Sequence, residues 1–305
     1  MQPTQTFLPL RKKHTDIETT LDPIEHLIDG KPDSVAYVDL MGNDQHLNYK
    51  SLVSQDPYRL PMPVDREGYD GIDTTYRYWA MGHTDWLNVQ TAVSQFLGEP
   101  DDRKQKQRLL DFGGATGRFL RHAWAFGRDE LELWGCDFAP ANVNWTKRYL
   151  APNIKFFLNS DLPHLPFSDG YFDVVTAFSV LTHIDQLEDV WLLELRRITK
   201  ENGLLYITIQ NDETWLAMRN RPEFISHFEK ANQFDSTIHV TPEIFSKPIP
   251  LPRIVFRMSR DTTYNCNVWF SSEYVMKQWS RFFKIHRIVP CAHNRFQSVV
   301  LMSPA

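Results

Sequence analysis

The segment at residues 108–120, RLLDFGGATGRFL, constrains the fold more than any other part of the chain. It begins as an apolar run that ends in Asp111, continues through small residues and then places apolar side chains at helical spacing, which predicts a buried strand, a tight turn and a helix. The turn consists mainly of small residues: Gly113, Gly114, Ala115 and Gly117. Because they have little or no side chain, a ligand can approach the backbone N–H groups at the start of the helix. This order of elements is typical of a site for a nucleotide-like cofactor.

Strand and helix patterns alternate along the rest of the chain. Short apolar runs predict five strands, at residues 109–112, 131–136, 154–158, 172–178 and 204–209. Two more runs, at 284–289 and 298–302, lie too close together for a crossover helix, so we expect them to form an antiparallel hairpin. The alternation predicts an α/β fold: a doubly wound, mostly parallel seven-stranded sheet with an antiparallel C-terminal hairpin strand.

Two regions interrupt this alternation. Residues 1–80 are rich in Pro, Asp and Gly and contain one short strand pattern at 34–40, which predicts an irregular N-terminal extension or lid. Residues 81–305 then form the Rossmann-like domain. Within it, residues 211–268 contain a Pro-rich patch, KPIPLP, and several aromatic residues. An insertion of this length predicts a cap over the substrate.

The composition limits the classes of partner and compartment. A net charge of -5 at pH 7 gives no electrostatic footprint for a phosphate backbone, so we expect no nucleic-acid partner. The 3 cysteines form no C-x-x-C pair, which argues against a disulfide framework or a zinc site and favours a cytoplasmic setting. No run approaches the roughly 20 apolar residues that span a bilayer, so we expect no membrane span. The sequence leaves the oligomeric state open.

Acidic residues follow two of the predicted strands, at the edge where doubly wound sheets bind their ligands. Asp137 follows the second strand, where a carboxylate can accept hydrogen bonds from both hydroxyls of a ribose. Asp161 follows the third strand, where a carboxylate can accept a hydrogen bond from the exocyclic amine of an adenine. The sequence therefore predicts a ligand with a nucleoside part across this edge.

Four motifs occur in order along this part of the chain. They are DFGGATG at 111–117, GCDFAPAN at 135–142, SDLPHLPFSDGYFDVVTAFSVLTHI at 160–184 and ITKENGLLYIT at 198–208. In this combination the chain resembles the class I S-adenosylmethionine-dependent methyltransferases, especially those that act on small molecules. Ala115 stands where members of that family usually have glycine, and alanine fits there wherever φ is negative.

The resemblance implies which residues bind S-adenosylmethionine as the cofactor. Asp111 and the backbone at Gly113 and Ala115 would hold its methionine end. Asp137 would bind the ribose hydroxyls. The adenine would be held by three residues: the Asp161 carboxylate, the Leu162 N–H and the Phe138 ring. The predicted cofactor-binding set is completed by Gly114, Gly117 and Phe178.

Two other classes of protein share part of this pattern. An acidic residue after the second strand also belongs to the dinucleotide fingerprint of NAD-dependent oxidoreductases. The turn here reads G-x-A-x-G from Gly113 and lacks the final step of G-x-G-x-x-G, which disfavours that alternative. The other alternative is a protein that binds S-adenosylmethionine without methyl transfer and acts as a scaffold or a regulatory partner.

Three histidines are candidates for a catalytic base. Methyl transfer is an in-line displacement that needs alignment of donor and acceptor, and it needs a base when the nucleophile is a hydroxyl. His183 lies just past the fourth strand, His293 lies in the C-terminal hairpin loop, and His83 precedes the helical pattern that starts at Trp86. The aromatic cluster at 76–79 predicts either a lid over the methionine end or core packing.

The residues after the fourth strand bear on the methyl acceptor. An N-P-P-Y or D-P-P-Y sequence there would indicate amino-group methylation, and residues 178–181 read FSVL instead. The resemblance is greatest to enzymes that methylate sugars, glycolipids or secondary metabolites. We therefore expect O-methylation of a small-molecule acceptor, a sugar or a secondary metabolite, with no metal in the site.

Overall fold

The computed structural model describes residues 19–66, 74–97, 106–127, 131–259 and 264–305. Parts of the predicted extension, at 1–18 and 67–73, and of the predicted insertion, at 260–263, lie outside these ranges. The strands, in chain order, are β1 (Thr20–Leu21), β2 (Val35–Val38), β3 (Asp44–Leu47), β4 (Leu60–Pro61), β5 (Gln107–Phe112), β6 (Leu131–Asp137), β7 (Lys155–Leu158), β8 (Phe172–Ala177), β9 (Thr199–Ile209), β10 (Arg253–Arg257), β11 (Cys266–Phe270), β12 (Phe283–His293) and β13 (Gln297–Pro304). The α-helices are α1 (Thr75–Phe96), α2 (Leu120–Phe126), α3 (Pro140–Tyr149), α4 (Glu188–Ile198), α5 (Asp212–Ala217), α6 (Pro222–Phe228) and α7 (Ser272–Gln278).

A seven-stranded sheet forms the centre of the fold. Its strands lie in the order β12-β13-β9-β8-β5-β6-β7, and β5 to β9 are parallel. β13 runs antiparallel to both of its neighbours and forms a hairpin with β12. The chain builds one half of the sheet from β5 to β7 and then returns to β8 on the other side of β5, so the switch point lies at the carboxyl end of β5. The predicted α/β fold with an antiparallel C-terminal hairpin strand is confirmed.

Helices cover both faces of the sheet because successive strand residues are apolar on both sides. On one face, Leu109 of β5 lies in a buried cluster with residues of α1, α2 and α3, among them Leu120. On the other face, Leu110 lies in a second buried cluster with residues of α4 and α7, among them Trp191. The two cores therefore pack on opposite faces of the sheet, and the carboxyl edge of the sheet lies between them.

Helix α1 begins earlier than the sequence pattern predicts. The apolar spacing indicates a helix from Trp86, whereas the helix starts at Thr75. Its first turns do not show the apolar period because they bury polar side chains, including His83 and Asp85, beside apolar ones. The domain division placed after residue 80 therefore falls inside a continuous helix.

A buried ion pair fixes the N-terminal segment to the sheet domain. Nε of Arg121, in α2, lies 2.6 Å from Oδ2 of Asp56, and both side chains are 0% exposed. Nε1 of Trp79 donates to the same carboxylate oxygen at 2.6 Å. Arg121 also donates to two backbone carbonyls of the segment. Trp79, of the aromatic cluster at 76–79, is therefore a core side chain and not part of a lid.

The described part of the predicted insertion forms α5, α6 and an antiparallel pair of strands, β10 and β11, around a buried apolar cluster of its own. Ion pairs hold β10 to the segment that follows β8. Arg253 pairs with Glu188 at 2.7 Å and with Asp185 at 3.2 Å. Arg257 pairs with Asp185 at 2.7 Å. The insertion therefore lies against the carboxyl edge of the sheet.

Candidate active site

The glycine-rich turn follows β5 and requires glycine near both ends. Gly113 and Gly117 both have a φ of +73°, in the left-handed region that favours glycine. A Cβ atom on Gly113 would lie 2.4 Å from a methyl carbon of Val180. A Cβ atom on Gly117 would lie 2.3 Å from Cδ1 of Leu150. Close packing against the segments that follow β8 and α3 therefore sets the shape of the turn.

Ala115 adopts a φ of +46°, outside the negative region in which alanine fits without strain. A left-handed conformation costs a non-glycine residue roughly 1–2 kcal/mol. The Ala115 N–H donates to Oδ2 of Asp137 at 2.9 Å, and this hydrogen bond offsets part of that cost. The glycine that the family usually carries at this position would adopt the same conformation without strain.

Asp111 lies near the end of β5 and is 2% exposed. Oγ1 of Thr176 donates to its Oδ1 at 2.9 Å. Burial raises the pKa of the Asp111 carboxyl to about 7, with Asp85 and Asp137 adding to the rise and Arg118 opposing it. A cationic group beside this carboxylate would stabilise its charged form. The site therefore fits the ammonium group of an amino-acid moiety.

Asp137 is the last residue of β6, and hydrogen bonds of its carboxylate connect the second motif to the first. Its Oδ1 accepts from the N–H of Ala139 at 2.8 Å and from Nδ2 of Asn142 at 3.3 Å. Together with the Ala115 N–H on Oδ2, these donors fix the carboxylate beside the glycine-rich turn. The carboxylate thus lies beside the turn, on the side of the sheet where the resemblance implies the ribose contact.

The residues expected at the adenine end expose apolar side chains at the carboxyl edge. Phe138 is 44% exposed and Leu162 is 63% exposed. Tyr264, from the insertion, stacks on Phe138 with ring centroids 6.1 Å apart. The Tyr264 hydroxyl donates to the backbone carbonyl of Asp161 and accepts from Nε1 of Trp191 at 3.2 Å. Apolar rings beside polar backbone groups suit a purine base.

Phe178 follows β8 and packs near the C-terminal hairpin. Its ring centroid lies 5.0 Å from that of Phe119, 5.5 Å from that of Tyr206 and 5.5 Å from that of His293. The guanidinium carbon of Arg118 lies 5.7 Å from the Phe178 centroid. The structure thus brings Phe178 together with one of the three predicted bases.

His293 forms a buried chain with Asp85 and Arg118. Nδ1 of His293 lies 2.9 Å from Oδ1 of Asp85, and Nη1 of Arg118 lies 2.6 Å from the other oxygen of the same carboxylate. Although burial raises it, the neighbouring His293 and Arg118 hold the pKa of Asp85 below its usual value. The ionised carboxylate accepts from Nδ1–H, and in the neutral ring the lone pair lies on Nε2, which faces Nδ2 of Asn294 at 3.2 Å.

His183 is held by the insertion. Its Nδ1 lies 2.7 Å from the carbonyl oxygen of Cys266, so Nδ1 carries the proton. Sγ of Cys266 donates to the His183 carbonyl at 3.3 Å. These two contacts tie the segment after β8 to β11, and they leave the lone pair of His183 on Nε2.

His83 lies in an aromatic cluster between α1 and α2. Its ring is nearly parallel to that of Trp79 at 5.9 Å, and it meets the rings of Phe126 at 4.3 Å and His122 at 5.3 Å edge to face. Burial lowers the pKa of His83 to about 4. The structure therefore places His83 among core side chains, and its ring contacts are with Trp79, His122 and Phe126 rather than with Asp111 or His293.

Sequence reasoning missed three residues of the candidate site. These residues are Asp85, Arg118 and Tyr264, and no motif or strand end in the sequence marks them. Asp85 and His293 are 208 residues apart in the chain, so their pairing depends on where the fold places α1 against the C-terminal hairpin. A single sequence does not contain that information.

No group of three or more His, Cys, Asp or Glu side chains is placed to hold a metal ion within the described ranges. None of the helices in those same ranges combines the length and the apolar character that crossing a bilayer requires. Next to the glycine-rich turn, Arg118 pairs with Asp85 at 2.6 Å.

Residues 110–207 match a family model described as a methyltransferase domain. Among curated proteins, the uncharacterized protein MJ0638 of Methanocaldococcus jannaschii is 28% identical over 167 residues, which is 50% of this chain and 69% of that protein. The ubiquinone/menaquinone biosynthesis C-methyltransferase UbiE of Paraburkholderia phytofirmans is 32% identical over 113 residues. That match covers 35% of this chain and 44% of UbiE, so it spans less than half of that enzyme.

Many solved structures resemble this chain, among them the following two. The PH0226 protein of Pyrococcus horikoshii OT3 is 17% identical, with a TM-score of 0.47 over 77% of this chain and 100% of that one. A SAM-dependent methyltransferase from Aquifex aeolicus is 13% identical, with a TM-score of 0.42 over 71% of this chain and 89% of that one.

Proposed function

This chain contains a class I S-adenosylmethionine-dependent methyltransferase domain, and we propose that it methylates a hydroxyl oxygen of a small-molecule acceptor with His293 as the base. The observation that supports the proposal is the buried chain from His293 through Asp85 to Arg118. These three side chains adjoin the glycine-rich turn, because Arg118 directly follows Gly117. A hydroxyl acceptor needs such a base, since its proton must leave as the new bond forms.

The glycine-rich turn and the carboxyl ends of β5, β6 and β7 form the cofactor-binding site in this proposal. When bound, S-adenosylmethionine supplies a methyl group whose bond to sulfur breaks as the bond to the acceptor oxygen forms. Asp111 pairs with the ammonium group and Asp137 with the ribose hydroxyls. The adenine lies against three residues: Phe138, Leu162 and Asp161. The burial of Asp111 and the exposed side chains of Phe138 and Leu162 support this assignment.

His293 accepts the acceptor proton at Nε2. In the structure, Nδ2 of Asn294 lies 3.2 Å from this nitrogen, in the position of a hydrogen-bond donor. An acceptor hydroxyl replaces that amide and donates to the same lone pair. As the proton moves to Nε2, the Asp85 carboxylate stabilises the charged imidazole through Nδ1–H, and Arg118 holds Asp85 in place.

The predicted extension and the predicted insertion supply the walls of the acceptor site in this proposal. The Tyr78 hydroxyl lies 3.2 Å from the hydroxyl of Thr116, so α1 reaches the glycine-rich turn from the N-terminal side. From the other side, the carbonyl of Cys266 holds His183 after β8. We therefore assign the extension to the methionine end and the insertion to the substrate.

A carbon acceptor is a second candidate, which the similarity to C-methyltransferases named UbiE favours. The same base serves that reaction, because removal of a proton from a hydroxyl on an aromatic ring makes neighbouring ring carbons nucleophilic as well as the oxygen. The two products differ in the carbon chemical shift of the new methyl group, which separates the candidates.

Acceptor screening combined with variants of the base tests the proposal. The protein is incubated with S-adenosylmethionine that carries a carbon-13 methyl group and with hydroxyl, amine and activated-carbon acceptors, and NMR identifies the labelled product. We expect an O–CH3 product. His293→Gln should lower kcat by about 10²–10⁴-fold, the usual contribution of a general base. Calorimetry should find its affinity for S-adenosylhomocysteine close to that of the wild type.

Two further variants complete this test. His239→Gln, at an exposed site in the insertion, is the control and should leave kcat unchanged. His183→Gln tests the competing base, and a loss of kcat confined to that variant would contradict the role of His293. Labelled products that carry the methyl group only on nitrogen would contradict the proposed reaction.

A further inference from the structure

The side chain of Gln297 is held by two hydroxyl groups at the carboxyl edge of the sheet. Its Oε1 accepts from Oγ of Ser179 at 2.9 Å and from Oγ1 of Thr208 at 2.8 Å. Oγ1 of Thr208 in turn accepts from the Ser179 N–H at 2.7 Å. Ser179 reaches these partners with a φ of +59°, which a non-glycine residue keeps only when its surroundings hold it.

This network fixes the direction of the Gln297 amide. Because Oε1 receives both hydroxyl groups, Nε2 lies on the opposite side of the amide. Gln297 is only 8% exposed, yet its Nε2 has no hydrogen-bond partner among the residues that the structure describes and is not sealed from solvent. An oriented and nearly buried amide with unused donors indicates a ligand atom that accepts from it.

Gln297 and His293 are neighbours across the C-terminal hairpin. The two residues are paired opposite each other in the register of β12 and β13. Residues paired in this way have Cβ atoms about 4.5–5.5 Å apart on one face of the sheet. The side chains of Gln297 and of the proposed base therefore extend from neighbouring positions on one face of the hairpin.

We infer that Gln297 binds a second oxygen of the acceptor, on the carbon next to the one that carries the methylated hydroxyl. The inference rests on the proposed function and names the substrate class of the same site. When the reacting hydroxyl donates to Nε2 of His293, a hydroxyl or carbonyl oxygen on the adjacent carbon accepts from Nε2 of Gln297. The acceptors are therefore vicinal diols, catechols or α-hydroxy carbonyl compounds. Gln297 positions them and exchanges no proton.

Two substitutions at Gln297 distinguish the role of its amide donors from the role of its hydrogen bonds to Ser179 and Thr208. Gln297→Glu keeps an oxygen for Ser179 and Thr208 and replaces the donors with a second oxygen. Gln297→Met keeps the length of the side chain and removes both polar groups. Arg295→Gln, at the exposed tip of the same hairpin, is the matched control. Thermal unfolding shows which variants are folded.

Calorimetry on the S-adenosylhomocysteine complex compares catechol with phenol and resorcinol, and cis-1,2-cyclohexanediol with cyclohexanol. The wild type and Arg295→Gln should bind each vicinal compound about 10-fold more tightly than its counterpart, because the counterpart leaves the amide unpaired. Both Gln297 variants should lose this preference. In turnover, their KM for a vicinal acceptor should rise while kcat changes little.

Equal binding of vicinal and isolated hydroxyl compounds by the wild type, or binding of neither, overturns the inference. A folded Gln297 variant that keeps the preference overturns it as well. If isolated hydroxyls are O-methylated in a His293-dependent way, the proposed function stands while the inference fails. If vicinal compounds bind selectively but receive the methyl group only on carbon or nitrogen, the proposed function fails instead.

Discussion

The carboxyl group of Asp111 is the ionisable group whose state depends most directly on a bound ligand. Burial raises its pKa to about 7, so a part of the unliganded protein carries a proton there near neutral pH. A ligand ammonium group stabilises the charged carboxylate. Binding and deprotonation of Asp111 are therefore coupled.

We expect the affinity for S-adenosylhomocysteine to rise about 10-fold from pH 6 to pH 8, because a carboxyl with a pKa near 7 must first lose its proton at the lower pH. The raised pKa gives the sign: the protonated form dominates below pH 7, and only the ionised form pairs with the ammonium. Calorimetry in two buffers of different ionisation enthalpy measures both the affinity and the proton released. Asp111→Asn should bind weakly with a flat pH profile, and a flat profile in the wild type would contradict the ionic contact.

The residues proposed to bind the cofactor include Asp111 and Asp137, which stand out in the sequence because each lies at the end of an apolar run. Two residues proposed for the acceptor side, Asp85 and Gln297, do not stand out in this way. Asp85 lies inside a helix whose first half shows no apolar period, and Gln297 is oriented by the hydroxyl groups of Thr208, in β9, and of Ser179, which follows β8. Contacts of that kind depend on the register of the hairpin, which a single sequence does not specify.

At the scale of elements, the contact between α1 and α2 buries two histidines. Gly82 allows the helices to approach closely, since a Cβ atom there would lie 2.7 Å from Cδ2 of His122. Burial lowers the pKa of His83 to about 4 and that of His122 well below its usual value. The folded chain therefore binds protons at these rings less readily than the unfolded chain does.

We expect the burial of these two histidines to lower the free energy of unfolding as the pH drops from 6.5 towards 4, whereas Asp111, whose pKa is raised in the folded chain, contributes in the opposite direction. In this window the unfolded chain binds a proton at residue 83 that the folded chain does not, so acid favours unfolding; the stability is present above the unfolded pKa and is lost below it. For His83 the interval from 6.5 to about 4 corresponds to about 3 kcal/mol. Urea unfolding followed by tryptophan fluorescence measures it.

His83→Phe removes one of the two titrating rings, so acid should destabilise this variant less than the wild type; the difference between the two pH profiles is the contribution of His83. His239→Gln removes an exposed histidine and should leave the dependence as it is in the wild type. The same pH dependence in His83→Phe and in the wild type would show that burial of His83 does not set the acid sensitivity.

The strands of the large sheet could be predicted because each contains apolar residues in a short run or in alternation with polar ones, whereas their ends depend on packing. β12 continues to His293, past the predicted end at residue 289. Pro290 interrupts the apolar run, and a proline is tolerated there because β12 is an edge strand with register shifts between Val289 and His293. The strand therefore carries His293 to the carboxyl edge.

At the scale of the whole molecule, buried ion pairs join both flanking regions to the sheet domain. Asp56 pairs with Arg121 on the N-terminal side, and Arg253 pairs with Glu188 on the side of the insertion. Burial raises the pKa of Glu188, and Arg253 opposes that rise. Because removal of one partner leaves a buried charge without compensation, such pairs fix the position of the regions they join.

Arg253→Met should lower the free energy of unfolding by about 3–5 kcal/mol, because it leaves the buried carboxylate of Glu188 without its cation. Arg281→Gln is the matched control: it breaks an exposed pair with Asp189 at 3.8 Å and should cost less than about 1 kcal/mol. Urea unfolding measures both changes. Equal losses in the two variants would show that the buried pair has no special role.

The same substitution also separates the cofactor side of the site from the acceptor side. β10 pairs with β11, and β11 holds His183 through Cys266, whereas the glycine-rich turn takes its contacts from other elements. Hydrogen exchange in Arg253→Met should therefore rise in β10 and β11 and stay unchanged in β5. The KM for the acceptor should then increase more than the affinity for S-adenosylhomocysteine falls, because Tyr264 is the contact of the insertion with the adenine end. A parallel loss of cofactor affinity would mean that the insertion supports both sides of the site.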